Sequence, residues 1–381
     1  MYYIPTECRF AIPADKERLN RFAKRLNTAN QNPSLVEKAI NPQLPGNLNN
    51  IKKFPVRRRS IVALHKNEIH ASQLFFENQL FIDGEPKNFV YPAGPISEGL
   101  VDSRYSLFSI ALLKYSLSLQ PFHMALGLGS YSQTITKIFI GLGWSHAKIP
   151  FYFLPYRPNK VLKEITIFRS NIFLYCITRL ILFSGIGWFV NTVFFGIKNS
   201  FFNRSNIDYE IVDTFGSWAD NIWKMALKEY KVLTRKDSQT LNLLYRPFDK
   251  RYIRLRVYDN KEEIGWLLIV IKKMKNDKYF GNLTVGTIVD GLCEYKHINN
   301  VLNSGLKYFN KNTVDICVVN WSHHLWKKAS VRLGFLKGPS NYIFCASRSL
   351  VNKLNTHKYL IHELHLSRGD GDGPITLAPP L

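Results

Sequence analysis

The amino-acid sequence predicts an α/β (α+β) protein of two tandem domains, each a mixed twisted sheet flanked by helices, joined by an apolar helical linker. Two observations lead to this prediction. Residues 123–158 and 313–347 each run through an apolar strand, a helix, a glycine followed by an aromatic residue, and an aromatic strand. A glycine turn precedes each stretch at nearly the same distance, at Gly99 and Gly291. Two copies of one βαβαβ unit within 381 residues account for the repetition.

The first half begins with a strand and an amphipathic helix within residues 8–30. Residues 41–50 contain prolines, glycine and asparagines, which is typical of a loop. Three strands are then predicted at residues 59–65, 68–81 and 88–96. A helix at residues 102–118 follows, for which Asp102 or Ser103 would supply the N-cap.

The second half repeats this order. A strand is predicted at residues 207–214 and a helix at 217–230, capped by Ser217. Three further strands are predicted at residues 252–258, 263–272 and 282–289. They are followed by a helix at 295–310, a strand at 314–320, a helix at 324–333 and a strand at 342–346. Agreement in element order between the halves supports the repeat more strongly than any single element does.

An apolar segment without formal charge lies between the halves at residues 180–197. Its length meets the lower limit of about 17 residues for a membrane span. Ser184, Gly185, Gly187 and Asn191 weaken that interpretation. Three alternatives stay open: a helical pair packed between the domains, a helix lying in the membrane interface, or a true span.

The net charge and the cysteines indicate which partners the protein binds and in which compartment it works. The net charge of +23 favours polyanionic neighbours such as RNA, an anionic membrane surface or phosphate-bearing ligands. The alternative is a lysine-, asparagine- and isoleucine-rich composition with charge spread over the surface. Five cysteines without a C-x-x-C pair favour a reducing interior, and no secretory signal is recognisable. We expect a cytoplasmic protein, with peripheral binding to the inner membrane as an alternative.

The order β-α-βββ-α-β-α-β, with the endings Leu-Gly-Trp and Leu-Gly-Phe before an aromatic strand, resembles the GNAT superfamily of acyl-CoA N-acyltransferases. Two such units in one chain resemble the tandem-GNAT, Fem-like proteins of bacterial cell-envelope and polysaccharide synthesis. The resemblance covers most of residues 8–350. It implies a GNAT-like domain at 1–165, an apolar helical linker at 166–205, a second GNAT-like domain at 206–356 and a C-terminal tail at 357–381.

The resemblance implies an acyltransferase that moves an acyl group from acetyl-CoA or another acyl-CoA to an amine or hydroxyl acceptor. In the family, a turn of the form Q/R-x-x-G-x-G/A holds the pyrophosphate at a helix N-terminus. The matching first-half turn keeps one glycine and an arginine but lacks the second glycine. Its predicted donor-binding residues are Gly99, Ser103, Arg104, Tyr105 and Ser106. The second-half turn around Gly291 contains two acidic residues, which would repel a diphosphate.

Acyl transfer also needs a base for the attacking amine and an acid for the leaving thiolate. Family members often carry a tyrosine acid four residues before the glycine–aromatic ending, where this chain has Phe139 and Ser330. Tyr131, with its neighbour Ser132 just after the fifth strand, is the predicted substitute for that acid. Glu98 is the carboxylate nearest the splayed strand and is the predicted base. His323, with its neighbour His324, occupies the equivalent place in the second half. Each of these residues also has a structural interpretation, Tyr131 as a packing aromatic and Glu98 as an acidic residue at a helix entry.

Other sites are not expected. The histidines show no metal-ligand spacing, and neither a phosphate-binding loop nor a serine-hydrolase elbow occurs. The aspartates of Gly-Asp-Gly-Asp-Gly lie in a segment predicted to be a flexible tail folded over a cleft. Two further hypotheses stay open: aminoacyl transfer from charged tRNA, and a catalytically inactive binding module at the membrane surface. The expected acceptors are a saccharide, an amine or a lipid-linked precursor, and DNA is not an expected partner.

Overall fold

The computed structural model of the chain describes residues 2–27, 56–166, 207–356 and 358–371. Its strands are β1 (Glu7–Phe10), β2 (Arg57–His65), β3 (Glu68–Ile82), β4 (Glu85–Ser97), β5 (Met124–Leu126), β6 (Ser145–Lys148), β7 (Phe151–Pro155), β8 (Ile207–Val212), β9 (Val232–Thr234), β10 (Ile253–Asp259), β11 (Glu262–Lys273), β12 (Thr284–Cys293), β13 (Ile316–Asn320), β14 (Leu336–Gly338), β15 (Ile343–Ala346) and β16 (Leu364–His365). The apolar segment 180–197 lies outside the described residues.

The helices are α1 (Lys16–Asn27), α2 (Phe108–Leu119), α3 (Thr134–Gly141), α4 (Pro158–Glu164), α5 (Ser217–Ala226), α6 (Ser238–Leu244), α7 (Ile298–Lys311), α8 (His324–Arg332) and α9 (Arg348–Thr356). Short 3-10 turns occur at Pro13–Asp15, Glu98–Leu100, Ser103–Tyr105, Tyr295–His297 and Arg368–Asp370. Within the part of the chain that the structure describes, no helix is long and apolar enough to cross a membrane.

The chain forms two compact units that interleave along the sequence. Unit 1 comprises Met1–Lys148, Lys231–Arg235 and Asn341–Ile361, and unit 2 comprises Ile149–Tyr230, Lys236–Ser340 and His362–Leu381. The aromatic strand that ends the first half, β7, therefore belongs to unit 2, and its counterpart β15 belongs to unit 1. The domain boundaries given above describe the repeat along the sequence, and they stay a prediction.

Unit 1 is built on an antiparallel sheet in the order β1-β2-β3-β4. The turn between β2 and β3 uses Lys66 and Asn67, both at positive φ, which suits a two-residue hairpin. Two apolar clusters cover the two faces of the sheet. One packs Phe22 of α1 against Val62, and the other packs Phe108 of α2 against Phe75. The apolar side of each helix thus faces the sheet, as its hydrophobic spacing predicts.

A smaller sheet in unit 1 has the order β5-β15-β6, with β15 antiparallel to both neighbours. Phe344 of β15 lies opposite Leu126 on one side and Ala147 on the other. This strand is almost fully buried, as expected for a central strand.

Unit 2 contains a mixed sheet in the order β14-β7-β13-β12-β11-β10-β8. Strands β12 and β13 are parallel, and β7 is antiparallel to β13 and β14. Helix α7 lies tightly against β12, because a side-chain carbon on Gly286 would come within 2.6 Å of the Phe309 ring. The mixed sheet of unit 2, the antiparallel sheets of unit 1 and the flanking helices confirm the predicted α/β (α+β) class.

Candidate active site

Each unit contains a fork, a place where two neighbouring strands part. In unit 2, β12 and β13 pair as far as Thr287 and Val318, and the ladder stops there. In unit 1, β4 meets the chain just before β5 at a parallel bridge between Val90 and His123. Backbone groups beyond such a point need hydrogen-bond partners from a side chain, another segment, water or a ligand. A fork is therefore a candidate binding site.

The fork of unit 1 is narrowed by one side chain and shaped by a bulge. The Tyr91 hydroxyl donates a hydrogen bond to the Leu126 carbonyl across the fork, at 2.7 Å. The Val90 N–H donates to the Phe122 carbonyl, just before β5, at 2.9 Å. By alternation, Pro92 faces the same side but has no N–H to donate. Gly94 lies in the bulge at φ +55°, and a side chain added there would meet open space. The bulge thus leaves room beside β4.

The predicted donor-binding residues form one turn at the end of β4. The 3-10 turns Glu98–Leu100 and Ser103–Tyr105 lead directly into α2. Gly99 is required there, because a side-chain carbon would lie 2.6 Å from the Ser106 Cα and 2.8 Å from its nitrogen. The Ser106 hydroxyl donates to the Ser103 carbonyl at 2.7 Å. The structure therefore brings Gly99, Ser103 and Ser106 together.

Arg104 lies in the same turn, but its guanidinium already has a carboxylate partner. Its Nε and Nη2 donate to the two oxygens of Asp102 at 3.0 and 2.7 Å, and Nη1 donates to the Tyr3 hydroxyl at 3.0 Å. Hydrogen bonding with Asp102 raises the pKa of Arg104. Because the side chain is 57% exposed, this pair is weak and can be exchanged for another anion. A phosphate in the turn would compete with Asp102 for Arg104.

Glu98 lies in a buried network rather than at an open surface. Its two oxygens accept hydrogen bonds from Arg25 at 2.9 Å and from His70 Nδ1 at 2.6 Å. Burial raises the pKa of Glu98, but the hydrogen bonds from His70 and Arg25 outweigh it, and the net shift is downward. The His70 ring stacks on Tyr105 with 4.0 Å between centroids. Sequence reasoning missed His70, since nothing in its local sequence distinguishes it.

Tyr131 lies in the glycine-rich loop between β5 and α3. Its hydroxyl is 3.3 Å from His146 Nδ1, and the Lys148 amine is 5.5 Å from its ring centroid. Both partners belong to β6, whereas the partners of Glu98 lie on α1 and β3. The two predicted catalytic residues therefore sit in separate groups of contacts, and their roles stay a prediction.

In unit 2 the fork contains a buried charged cluster. The Lys236 amine lies 2.5 Å from Asp290 and 3.0 Å from Asp370, and all three side chains are at most 3% exposed. Burial raises the pKa of Asp290 to about 6, and the charge of Asp370 adds to this rise, while Lys236 opposes it. The Ser367 hydroxyl donates to Asp290 at 2.8 Å. Lys236 and Asp370 come from distant parts of the sequence, and no local signal predicts their pairing.

The second-half histidines lie beside this cluster. His323 is buried, its Nε2 lies 3.5 Å from the Tyr295 hydroxyl, and its ring is tilted against that of Tyr230. Burial and the neighbouring histidines, His365 first, lower the pKa of His323 to about 2, so that its ring stays neutral. His324 contacts the carbonyl of His362. Among residues 2–27, 56–166, 207–356 and 358–371, no cluster of histidine, cysteine or carboxylate side chains could hold a metal ion.

Comparison with known proteins identifies the fold. No protein-family model matches the sequence, and no curated protein matches it. A GCN5-related N-acetyltransferase from Anabaena variabilis ATCC 29413 is similar in structure, with a TM-score of 0.53 and 8% identity over 89% of this chain and 72% of that one. A probable N-acyltransferase of unknown function from Enterococcus faecalis V583 has a TM-score of 0.51 and 10% identity over 90% and 73%. The chain thus has the GNAT fold that its sequence predicts.

Proposed function

We propose that this protein transfers an acyl group from acyl-CoA to an amine or hydroxyl acceptor, with the donor bound in unit 1. The observation that supports this most is the continuity between the fork and the turn. Strand β4 parts from its neighbour after Val90, passes a bulge at Gly94 and leads into the turn at residues 98–106. A long thioester ligand would lie along β4 and place its phosphates at the turn, where backbone N–H groups precede α2.

The proposed roles follow from this placement. Gly99 lets the backbone of the turn approach the pyrophosphate closely, and Ser103 would donate a hydrogen bond to it. Ser106 would do so by exchanging the bond from its hydroxyl to the Ser103 carbonyl. Arg104 would exchange Asp102 for a phosphate oxygen, and Tyr105 would fix the turn through its stacked partner His70. These residues stay the proposed donor site, with acetyl-CoA or another acyl-CoA as donor.

Acyl transfer requires a proton to leave the nucleophile as the new bond forms and the carbon–sulfur bond breaks. In the proposed reaction, the acceptor nitrogen or oxygen attacks the thioester carbon and its proton passes to Glu98, directly or through His70. Tyr131 donates a proton to the departing thiolate. The hydrogen bonds from Arg25 and His70 keep Glu98 ionised, and therefore without a proton, but they also lower its pKa and weaken it as a base. Passage of the proton through His70, which already donates to Glu98, is the route that this arrangement favours.

The acceptor and the place of reaction are also proposals. An amino sugar, another saccharide or a lipid-linked precursor of the cell envelope would fit the tandem, Fem-like resemblance of the sequence. We place the reaction in the cytoplasm, with peripheral binding to an anionic inner-membrane surface as an extension. The net charge of +23 supports binding to such a surface.

A thermal-shift experiment with CoA tests the donor site. We expect CoA and acetyl-CoA to raise the melting temperature of the wild-type protein, because a ligand that binds only the folded state stabilises it. Gly99→Val should abolish the shift by pushing the turn away from Ser106. Gly141→Ala is the matched control, because a side chain added at Gly141 meets open space. A CoA shift that persists in Gly99→Val would refute the proposed site.

A second candidate function is aminoacyl transfer from charged tRNA, which the net charge of +23 favours. Binding of tRNA should then be saturable and weaken steeply with salt, because counterions are released from the phosphates. Salt-sensitive tRNA binding without any CoA shift would replace acyl-CoA by tRNA as the donor. Absence of both effects would leave an inactive binding module, which the Asp102–Arg104 pair also favours.

A further inference from the structure

The fork of unit 2 contains a segment of the chain itself. Residues 364–370, called the strap below, lie between β12 and the chain that follows β13. On the β12 side, His365 Nε2 donates to the Gly291 carbonyl at 2.9 Å. The Ser367 hydroxyl donates to Asp290 at 2.8 Å. Both partners lie on β12 beyond Thr287, where the ladder with β13 has ended.

The strap also bonds to the other side of the fork. The Leu366 N–H donates to the Ser322 hydroxyl at 2.8 Å, and the Ser322 N–H donates to the Leu366 carbonyl at 3.0 Å. Arg368 Nε donates to the side-chain oxygen of Asn320 at 2.8 Å. The strap thus supplies hydrogen bonds to both sides of the fork, which is the place that a ligand would take in an open one.

Charge and shape hold the strap in this position. Asp370 pairs with the buried Lys236, which also pairs with Asp290 of β12. Gly369 leaves no room for a side chain, because an added carbon would lie 2.6 Å from the Tyr245 hydroxyl and 2.8 Å from Asp290. The strap side chains of Leu366 and His365 are fully buried.

Moving the strap out of the fork would cost free energy. Lys236 would lose one of its two anionic partners, and a buried charge without full pairing is costly. The two hydrogen bonds with Ser322 and the bond from His365 to Gly291 would also have to be replaced. The arm of acyl-CoA carries amides that can form hydrogen bonds with the fork, but it has no anionic group that could replace Asp370 beside Lys236.

We propose that the strap closes the fork of unit 2 permanently, so that unit 2 binds no acyl-CoA and each chain binds a single donor molecule. The statement about the single donor rests on the proposed function, which places that donor in unit 1. The closure of unit 2 does not depend on it.

Hydrogen exchange of the protein without ligand tests the closure. We expect the amides of residues 364–370 to exchange as slowly as those of β13, because buried and bonded amides exchange only on opening. In Gly369→Val the strap cannot occupy the fork, and the exchange rates of these amides and of the Ser322 amide should rise at least tenfold. Val331→Ala, an exposed change on α8, is the control and should leave them unchanged. Rapid exchange of the strap in the wild type, or no rise in Gly369→Val, would overturn the proposal.

Calorimetric titration with CoA, followed by exchange in its presence, tests the stoichiometry. We expect one CoA per chain and no added protection at residues 288–293 or 364–370. Two CoA molecules per chain, or protection at those residues, would overturn the inference. Absence of CoA binding refutes the proposed donor site instead, while slow exchange of the strap would still uphold the closure. The two failures are therefore distinguishable.

Discussion

Replacement of Lys236 by methionine tests how much the buried charged cluster of Lys236, Asp290 and Asp370 contributes to stability. The amine lies 2.5 Å from Asp290 and 3.0 Å from Asp370, and its side chain is 2% exposed. Methionine keeps most of the side-chain volume but removes the charge, so that two carboxylates lose their shared cation. Breaking a buried ion pair by removing one partner costs about 3–5 kcal/mol. We expect Lys236→Met to lose about that much free energy of unfolding at pH 7.5.

Urea unfolding followed by tryptophan fluorescence measures this loss in unit 2. Trp218, Trp223, Trp266, Trp321 and Trp326 all belong to that unit and are buried. The fluorescence change therefore reports mainly on unit 2. The midpoint and slope of the transition give the free energy of unfolding by linear extrapolation.

The pH dependence identifies the cause of the loss. In Lys236→Met, Asp290 loses the cation that opposes the burial-driven rise of its pKa, so the folded variant should bind a proton at higher pH than the wild type. Its deficit relative to the wild type should therefore shrink by up to about 1.4 kcal/mol per pH unit towards pH 5. Asp370→Asn in the same chain should restore part of the stability, because it removes one stranded charge.

An exposed ion pair supplies the matched control. Lys296 lies 3.6 Å from Glu294, and its side chain is 67% exposed. Lys296→Met should cost less than about 1 kcal/mol, as is usual for surface pairs. A cost for Lys236→Met as small as this control, or one that does not change with pH, would refute the account of the cluster.

Three other outcomes are expected. Stability should fall by roughly 4 kcal/mol from pH 6.5 to 5. Burial lowers the folded pKa of His123, His323 and His365 to about 3, 2 and 4, so the unfolded chain protonates first, at about 1.6 kcal/mol each. Asp290, whose pKa is raised to about 6, offsets about 1 kcal/mol of this loss, and urea unfolding measures the sum. Asp315→Asn should cost about 2 kcal/mol, since the buried carboxylate bonds to Lys160 at 2.6 Å, and the thermal midpoint reports it. Glu98→Gln should lower the rate of thiol release from acyl-CoA by about 10²–10⁴-fold with an unchanged CoA thermal shift; an unchanged rate would exclude Glu98 as the base.

The element order could be predicted because its signals are local. The glycines that end the two repeats, Gly143 and Gly334, have φ values of 77° and 83° and stop α3 and α8 as expected for a glycine after a helix. The α2 and α7 helices begin a few residues later than predicted, after short 3-10 turns. Hydrophobic spacing does not distinguish such a turn from the first turn of a helix.

Pairing between distant segments could not be predicted in the same way. The strands Phe151–Pro155 and Ile343–Ala346 were recognisable by their aromatic and apolar residues, but sequence spacing says nothing about which sheet receives them. The segment around Arg368 was expected to be a flexible tail, and the structure buries most of it in unit 2. Its composition is polar, and the charge of Asp370 is balanced by Lys236, far away in sequence.

Mapping of a photoreactive CoA analogue on the full chain tests the central claim most directly. Irradiation of the complex followed by peptide mass spectrometry identifies the residues that face the ligand. The account predicts adducts within residues 91–106 of unit 1, suppressed by excess CoA and absent in Gly99→Val. Competable adducts confined to residues 284–293 or 316–322 of unit 2, or none that CoA suppresses, would contradict it.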